Sequence, residues 1–234
     1  MTPVLELINV HAAYGKIEVL HGVDIVVPEA SIVALLGPNG AGKSTTLRVA
    51  SGQMKPTSGC VHVTGRHING ASADQLARAG VCALPEGRGI FPNLSVRENL
   101  WMMTYGDVSR GQVEEEAFAR FPILKERRHQ LAGTMSGGEQ QMLAMARALA
   151  TKPAVLLLDE ISMGLAPLIV ARLYEIVAQI GASGVSILLV EQFAQTALSV
   201  ADYAAIMVHG RVQTVGQPAE IRDALASAYL GGAA

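Results

Sequence analysis

Cysteines are scarce in this chain, and the two that it has form no recognisable site. Cys60 and Cys82 lie far apart and match neither a metal-binding nor a redox spacing. Because disulfides persist in oxidising compartments and are rare in the reducing cytosol, we expect a reduced, cytosolic setting. We therefore interpret both thiols as packing residues.

Long apolar runs and a strong excess of one charge are also missing. The longest apolar runs, such as residues 154–158 and 187–190, are far shorter than the ~20 residues that a membrane-crossing helix needs. The amino-terminal stretch has no basic start and no apolar core, so we expect no secretory signal. The formal net charge is −2 at pH 7, which gives no reason to expect a nucleic acid as a partner.

The sequence does contain alternating apolar strands and helices. Apolar residues make up 50% of the 234 residues, which is enough for a sizeable core. Alternation of strands and helices predicts an α/β fold with a mostly parallel sheet, whose ligands bind at the carboxyl ends of the strands. The strands that we predict are residues 32–36, 155–158 and 185–190, and the helices are residues 43–51, 138–150, 169–180 and 195–201.

Two further segments differ in texture from this core. Short strands with turn residues between them, at residues 4–10, 22–27 and 60–65, predict a smaller antiparallel sheet. From about residue 88 the chain becomes mixed and polar, which predicts an inserted helical subdomain. We therefore expect one domain over residues 1–234, with core parts at about 1–87 and 150–234 and a helical part at about 88–149.

A glycine-rich loop between a predicted strand and a predicted helix indicates nucleotide binding. It matches the pattern G-x-x-x-x-G-K-[ST], in which backbone amides and a helix start face the phosphates. Gly40 and Gly42 would let the backbone wrap closely, Lys43 would neutralise phosphate charge, and the Ser44 hydroxyl would hold Mg²⁺. The predicted loop comprises Gly37, Pro38, Asn39, Gly40, Ala41, Gly42, Lys43, Ser44 and Thr45.

A second strand ends in two carboxylates. Residues 154–158 are apolar and are followed by Asp159 and Glu160. We expect Asp159 to belong to the Mg²⁺ shell. Glu160 would act as general base on the water that attacks the γ-phosphate, a role worth ~10²- to 10⁴-fold in rate.

Residues 135–141, Met-Ser-Gly-Gly-Glu-Gln-Gln, distinguish among the many nucleotide-binding families. They resemble the signature motif of ABC ATPases, usually Leu-Ser-Gly-Gly-Gln, and lie shortly before the acidic strand, as in that family. Ser136 and Glu139 also have the spacing of a capping box, and Gly137 and Gly138 would bare amides at the helix start. The resemblance implies that Ser136, Gly137, Gly138 and Glu139 bind the γ-phosphate of ATP held by a second ATPase subunit.

The same resemblance assigns the adenine contact. Tyr14 stands where the family has an aromatic residue that stacks on adenine, and Val19 is its expected apolar neighbour. Residues 162–165, Ser-Met-Gly-Leu, occupy the loop that contacts the other subunit in that family.

Further local motifs narrow the resemblance to one of the two ATPase subunits of branched-chain amino-acid importers. Relatives that serve urea or amide import share much of this pattern, so branched-chain amino acids, urea and amides all stay open as the transported solute. The motifs are residues 85–88 (Pro-Glu-Gly-Arg), 96–100 (Val-Arg-Glu-Asn-Leu), 133–141, 164–167 (Gly-Leu-Ala-Pro), 190–192 (Val-Glu-Gln) and 228–231 (Ala-Tyr-Leu-Gly).

Three positions depart from the general ABC pattern. Glu86 stands where most members have a glutamine that reaches Mg²⁺, and we expect it to help hold the metal. Ile161 stands where a proline usually follows the acidic pair. Gln192 replaces a histidine that hydrogen-bonds the γ-phosphate. A neutral hydrogen bond contributes less than a charged one, so we expect Gln192 to lower the rate about tenfold while Glu160 remains the base.

The resemblance implies an ATP-hydrolysing subunit on the cytoplasmic face of the membrane. Its partners would be permease subunits, a second ATPase subunit and an extracytoplasmic solute-binding protein. One alternative is a soluble ABC ATPase acting on DNA or ribosomes, which would typically carry two cassettes or coiled coils. Another is a regulatory module that closes on ATP without hydrolysing it. Arg127 and Arg128 are interpreted as a solvated face.

Overall fold

The computed structural model describes residues 2–85, 89–104 and 108–230. Glu86, together with part of the motif at residues 85–88, lies outside the described residues. The strands are β1 (Pro3–Tyr14), β2 (Ile17–Pro28), β3 (Ile32–Leu36), β4 (Ser58–Val63), β5 (Arg66–His67), β6 (Val81–Leu84), β7 (Val155–Asp159), β8 (Ser186–Glu191), β9 (Tyr203–Val208) and β10 (Arg211–Gly216). The helices are α1 (Lys43–Ala50), α2 (Ala73–Arg78), α3 (Val96–Trp101), α4 (Arg110–Arg120), α5 (Pro122–Glu126), α6 (Gly137–Ala150), α7 (Pro167–Ala182), α8 (Ala194–Leu198) and α9 (Pro218–Leu230).

The central sheet has six strands in the order β10-β9-β3-β8-β7-β6. Its strands pair in parallel except for β10, which runs antiparallel to β9. All residues of β3 and β8 are buried, as the apolar runs predicted for strands covered on both faces. The prediction of a mostly parallel α/β sheet is therefore confirmed.

Alternate residues of β3 enter two separate hydrophobic cores. Ile32, Ala34 and Leu36 face a core that includes α6, α7 and the helices between β6 and β7. Val33 and Leu35 face a core formed with α1 and the antiparallel sheet. Because side chains alternate along a strand, the central sheet serves as the middle layer of the molecule.

The smaller sheet is antiparallel, with the strand order β2-β1-β4-β5. Its first two strands are 12 residues each, longer than the pattern at residues 4–10 and 22–27 predicted. The backbone N–H of His21 donates to the carbonyl of Gly210 at 2.9 Å, so this sheet is joined to the turn between β9 and β10. The predicted antiparallel sheet is confirmed.

Helices α3 to α6 fill the segment between β6 and β7, as predicted for an inserted helical part. Helices α3, α4 and α6 begin at Ser95, Ser109 and Ser136, each of which forms a capping box with a Glu or Gln three residues on. The buried amide of Asn99 accepts from Phe91 N and donates to nearby carbonyls, which fixes the chain before α3. The subdomain boundaries stay a prediction.

Several elements differ from the sequence predictions. We did not predict β6, β9, β10, α2 or α9, and the helix expected at residues 195–201 is shorter, at Ala194–Leu198. Strand β9 contains Ala204 and Ala205, and alanine has little preference for strands; its pairing with β3 overrides that preference. Across the described ranges, no helix combines the length and apolar character needed to cross a bilayer.

Candidate nucleotide site

The phosphate loop follows β3 and leads directly into α1. Gly37, Gly40 and Gly42 all have positive φ, at 157°, 79° and 105°. A side chain at Gly37 would collide with the carbonyl of Met207, and one at Gly42 would lie 2.9 Å from atoms of Leu20 and Met207. The loop backbone is therefore packed tightly onto β2 and β9, as a glycine-rich loop permits.

Lys43 extends its amine along this loop. Its side chain is only 4% exposed, and Nζ donates to the carbonyls of Gly37 at 2.9 Å and Pro38 at 3.2 Å. The amine also lies 3.5 Å from Oε1 of Glu160, which forms an ion pair with it. The carbonyl and carboxylate partners hold the buried amine at the loop, where it can donate to an anionic phosphate.

Ser44 and Asp159 meet where α1 begins and β7 ends. The Ser44 hydroxyl donates to Oδ1 of Asp159 at 3.1 Å, although the two residues come from distant parts of the chain. A hydroxyl and a carboxylate are oxygen donors of the type that Mg²⁺ prefers, and Mg²⁺ is usually held by one or two such groups plus phosphates. The donor set therefore fits a magnesium ion carried by a nucleotide.

Glu160 has a backbone conformation that is uncommon for its residue type. Its φ is 44°, in the left-handed region, and its N–H donates to the carbonyl of Val190 at 3.0 Å. The side chain is 15% exposed and reaches Lys43. Strained positions of this kind concentrate at functional sites, where the surrounding structure holds them in place.

Gln192 lies at the end of β8, between the phosphate loop and the acidic pair Asp159 and Glu160. It is exposed and directly follows β8, and β8 lies between β3, which carries the phosphate loop, and β7, which carries the acidic pair. The sheet order thus brings the three predicted strand ends to one edge.

Tyr14 lies at the end of β1, next to α1. Its hydroxyl accepts from Nη1 of Arg48 at 3.0 Å, and its side chain is 46% exposed. The pKa of the phenol is held below its usual value, chiefly by a hydrogen bond with the Thr45 hydroxyl and secondly by the hydrogen bond and positive charge of Arg48. Val19 is half-buried, and its carbonyl lies near Gly42. An exposed ring beside the phosphate loop is available for stacking on a base.

The signature residues lie on the helical side of the molecule. Ser136 caps α6, and Oε2 of Glu139 accepts from the Ser136 N–H and hydroxyl, both at 2.9 Å. Gly138 is buried, and a side chain there would collide with Ile169 of α7. Gly137 is half-buried at the start of the helix. The capping box is as predicted; the phosphate contact stays a prediction.

Arg127 has partners in the structure that the sequence did not show. Its Nε lies 2.6 Å from Oε1 of Glu139, and its Nη1 donates to Gln130 at 2.9 Å. The Arg127 side chain remains 40% exposed, so it is partly solvated as expected, and the end of α5 lies against the start of α6 and gives it this partner. A carboxylate in the signature motif is thereby neutralised within the same chain.

A buried carboxylate, Glu191, was missed by the sequence analysis. It is 1% exposed, and it accepts from the Ser162 hydroxyl at 2.9 Å and from the Ser162 N–H at 3.2 Å. Burial raises the pKa of Glu191 above its usual value, an effect that these hydrogen bonds oppose. A carboxylate at the end of an apolar strand was a visible signal, but its partner 29 residues earlier was not.

Comparison with known proteins gives consistent matches over most of the chain. A family model described as "ABC transporter" matches residues 20–162. The chain is 44% identical over 228 residues to the high-affinity branched-chain amino acid transport ATP-binding protein BraG of Pseudomonas aeruginosa, covering 96% of this chain and 98% of that relative. It is 36% identical over 223 residues to the probable branched-chain amino acid transport ATP-binding protein LivF of Archaeoglobus fulgidus, covering 94% of each. A crystal structure of an ATP-binding cassette of an ABC transporter in its ADP conformation superposes with a TM-score of 0.85 at 25% identity, covering 97% of this chain and 96% of that one.

Proposed function

The chain belongs to the ABC transporter family, and we propose from this premise that it is the ATP-hydrolysing subunit of an importer for branched-chain amino acids. The observation that carries the chemistry is the convergence of Lys43, Glu160 and the Ser44–Asp159 pair at one edge of the central sheet. The observation that favours this solute is the likeness to BraG and LivF, both named for branched-chain amino acid transport.

In this proposal, the phosphate loop binds the triphosphate of ATP through its backbone amides and Lys43. The Lys43 amine has three donors, so it can keep its bonds to the loop carbonyls and still contact a phosphate oxygen. Tyr14 stacks on the adenine, with Val19 beside it. A bound Mg²⁺ would be held by Ser44 and Asp159 and would offset the negative charge of the phosphates. Glu86 remains part of the proposed metal shell on the strength of the sequence resemblance.

Glu160 is the proposed general base. Its carboxylate takes a proton from the attacking water, the water oxygen bonds to the γ-phosphorus, and the bond from the γ-phosphorus to the bridging oxygen breaks to release ADP and phosphate. Gln192 lies at the neighbouring strand end and donates its amide N–H to a γ-phosphate oxygen. It has no proton to exchange at neutral pH, so Glu160 is the group suited to proton transfer.

The signature residues Ser136, Gly137, Gly138 and Glu139 are proposed to complete the ATP site of a second subunit. Each of two cassettes would then supply a phosphate loop to one ATP and a helix start to the other. The pair would work with membrane permease subunits on the cytoplasmic face of the inner membrane and, through them, with an extracytoplasmic solute-binding protein.

Uptake of labelled leucine in a strain that lacks this gene tests the proposal. We expect uptake to fall on deletion and to return with the wild-type gene but not with Lys43→Ala. Lys152→Ala is the matched control, because Lys152 is an exposed lysine whose partner is Glu116 on α4. Uptake of labelled urea in the same strains distinguishes a urea importer from an importer of branched-chain amino acids. Leucine uptake that is unchanged by deletion, with urea uptake lost, would contradict the proposed solute.

A further inference from the structure

The loop after the proposed base is held at two points by one strand. At the first point, the N–H of Glu160 donates to the carbonyl of Val190 in β8. At the second, both the N–H and the hydroxyl of Ser162 donate to the carboxylate of Glu191, the last residue of β8. The residue after Glu191 is Gln192. The loop that carries the base and the strand end that carries the proposed γ-phosphate contact are thus joined directly.

The residue between the two anchors does not fix the backbone by itself. Ile161 is buried at 1% exposure, but an isoleucine does not lock φ as a proline does. Glu160 adopts a left-handed φ, a conformation that persists only where neighbouring contacts enforce it. The bonds to β8 are contacts of this kind.

The Glu191 carboxylate lies in an environment that is costly for a charge. Its neighbours include Tyr174 of α7, which is 2% exposed and whose hydroxyl faces the carboxylate. Burial, and next the negative charge of Glu191, raise the pKa of the Tyr174 phenol. An apolar residue could often fill such a space at less cost, so a buried carboxylate that binds Ser162 twice points to a role in positioning.

We propose that Glu191 is a positioning residue for ATP hydrolysis. It clamps the loop from Glu160 to Ser162 onto β8, which fixes the distance and orientation of the base, Glu160, relative to Gln192. This inference rests on the proposed function and deepens it. Glu191 acts through Ser162, and its loss affects turnover rather than nucleotide affinity.

Kinetics of Glu191 variants give the first test. We expect Glu191→Leu to lower kcat about 10- to 100-fold, because hydrogen bonds to a charged group contribute ~1.5–3 kcal/mol, and to leave KM for ATP within about twofold. Glu191→Gln keeps an acceptor for one Ser162 donor and should recover much of the loss. Glu191→Gln and Ser162→Ala should lower kcat less together than the product of their separate effects, because both weaken the same contact.

Ser186→Ala is the matched control. Ser186 lies at the opposite end of β8, is 1% exposed, and accepts from the N–H of Ala30 at 3.0 Å. The control loses a partly buried hydrogen bond on the same strand, far from the site, so it should lower the melting temperature and leave kcat unchanged. A kcat for Glu191→Leu equal to that of Ser186→Ala would overturn the proposal. If Glu191→Leu does not fold, the pair Glu191→Gln and Ser162→Ala decides: additive effects, or none, would count against the clamp.

Hydrogen exchange supplies a readout that does not depend on activity. The clamp predicts faster exchange of the amides in residues 160–165 in Glu191→Leu than in wild type or Ser186→Ala, because the Ser162 N–H loses its acceptor, and a smaller increase in Glu191→Gln, which keeps one acceptor oxygen. Unchanged exchange in this loop would overturn the clamp even if kcat falls. If wild-type protein releases no phosphate from ATP, the proposed function fails, and the exchange comparison still tests the clamp.

Discussion

The edge of the central sheet and the start of α6 both contain predicted phosphate-binding groups, but they are built in opposite ways. At the carboxyl ends of the central strands, the groups come from distant parts of the chain and contact one another. Lys43 forms an ion pair with Glu160, and the Ser44 hydroxyl donates to Asp159. At the start of α6, Ser136 and Glu139 satisfy each other within one turn and receive Arg127 from the preceding segment. The first region brings together, in one chain, the groups that we propose to bind phosphate, hold the metal and act as the base. The second is satisfied by contacts within its own chain, and its phosphate contact, with a second subunit, stays a proposal.

Glu160→Gln should lower ATP hydrolysis more than any other change considered, because it removes the proposed base. We expect phosphate release to fall ~10²- to 10⁴-fold while ATP binding is kept, since the amide preserves the shape of the side chain but cannot accept the proton. Phosphate release by purified protein measures the first quantity, and titration with a fluorescent ATP analogue measures the second. Undiminished turnover, with contaminating ATPase excluded by a Lys43→Ala preparation, would remove Glu160 from its role.

Lys43→Ala should weaken ATP binding about 10- to 100-fold, because a charge-assisted contact of ~1.5–3 kcal/mol to the phosphates is lost. The same titration measures it, with Lys152→Ala as the control for loss of a lysine charge. Equal affinities of the two variants would mean that the backbone of the loop, without the amine, provides the binding.

Gln192→His should leave turnover level or raise it by up to about tenfold, because a protonated imidazole forms a stronger hydrogen bond to phosphate than an amide does. Steady-state kinetics between pH 6 and pH 9 measure it, and the gain should shrink as pH rises through the ordinary pKa of histidine, ~6.5, and the ring loses its charge. A complete loss of activity would show that the strand end requires the amide.

Arg127→Ala should have the smallest effect, and it tests the other region. We expect turnover to fall about two- to fivefold with ATP affinity unchanged, because the Glu139 carboxylate would then face a phosphate without its neutralising partner. The size of the effect follows from the ~1 kcal/mol that a half-exposed ion pair contributes at most. Adding Glu139→Gln should restore turnover, because the uncompensated charge disappears. Arg128→Ala, a change at the exposed neighbouring residue, serves as the control, and an equal loss in that variant would argue against a specific pair.

The sequence predicted the sheet edge well because local pattern and chemistry coincide there. Residues 32–36 form a strand as predicted, since an unbroken apolar run suits a strand buried on both faces, and the motif at residues 37–45 follows it directly. The two carboxylates lie at the end of β7 for the same reason.

Features that depend on distant packing were not predictable in this way. The partner of Glu191 is set by how β8 lies beside the loop after β7, and the partner of Arg127 by how α5 approaches α6. The left-handed φ of Glu160 is imposed by its neighbours and not by any preference of glutamate. In each case the sequence showed the residue type, and only the tertiary structure showed its contact.

The position of β3 in the sheet has a consequence for the order in which the protein is assembled. Strand β3 pairs on one side with β8 and on the other with β9, so its two neighbours end at residues 191 and 208. A ribosome makes the phosphate loop early, but the strands that support it and Met207, which packs beneath it, are made late. Contacts so far apart in the chain form slowly, and nascent chains that end before β9 should not retain ATP. We therefore expect the growing polypeptide to bind nucleotide only after β9 has been made.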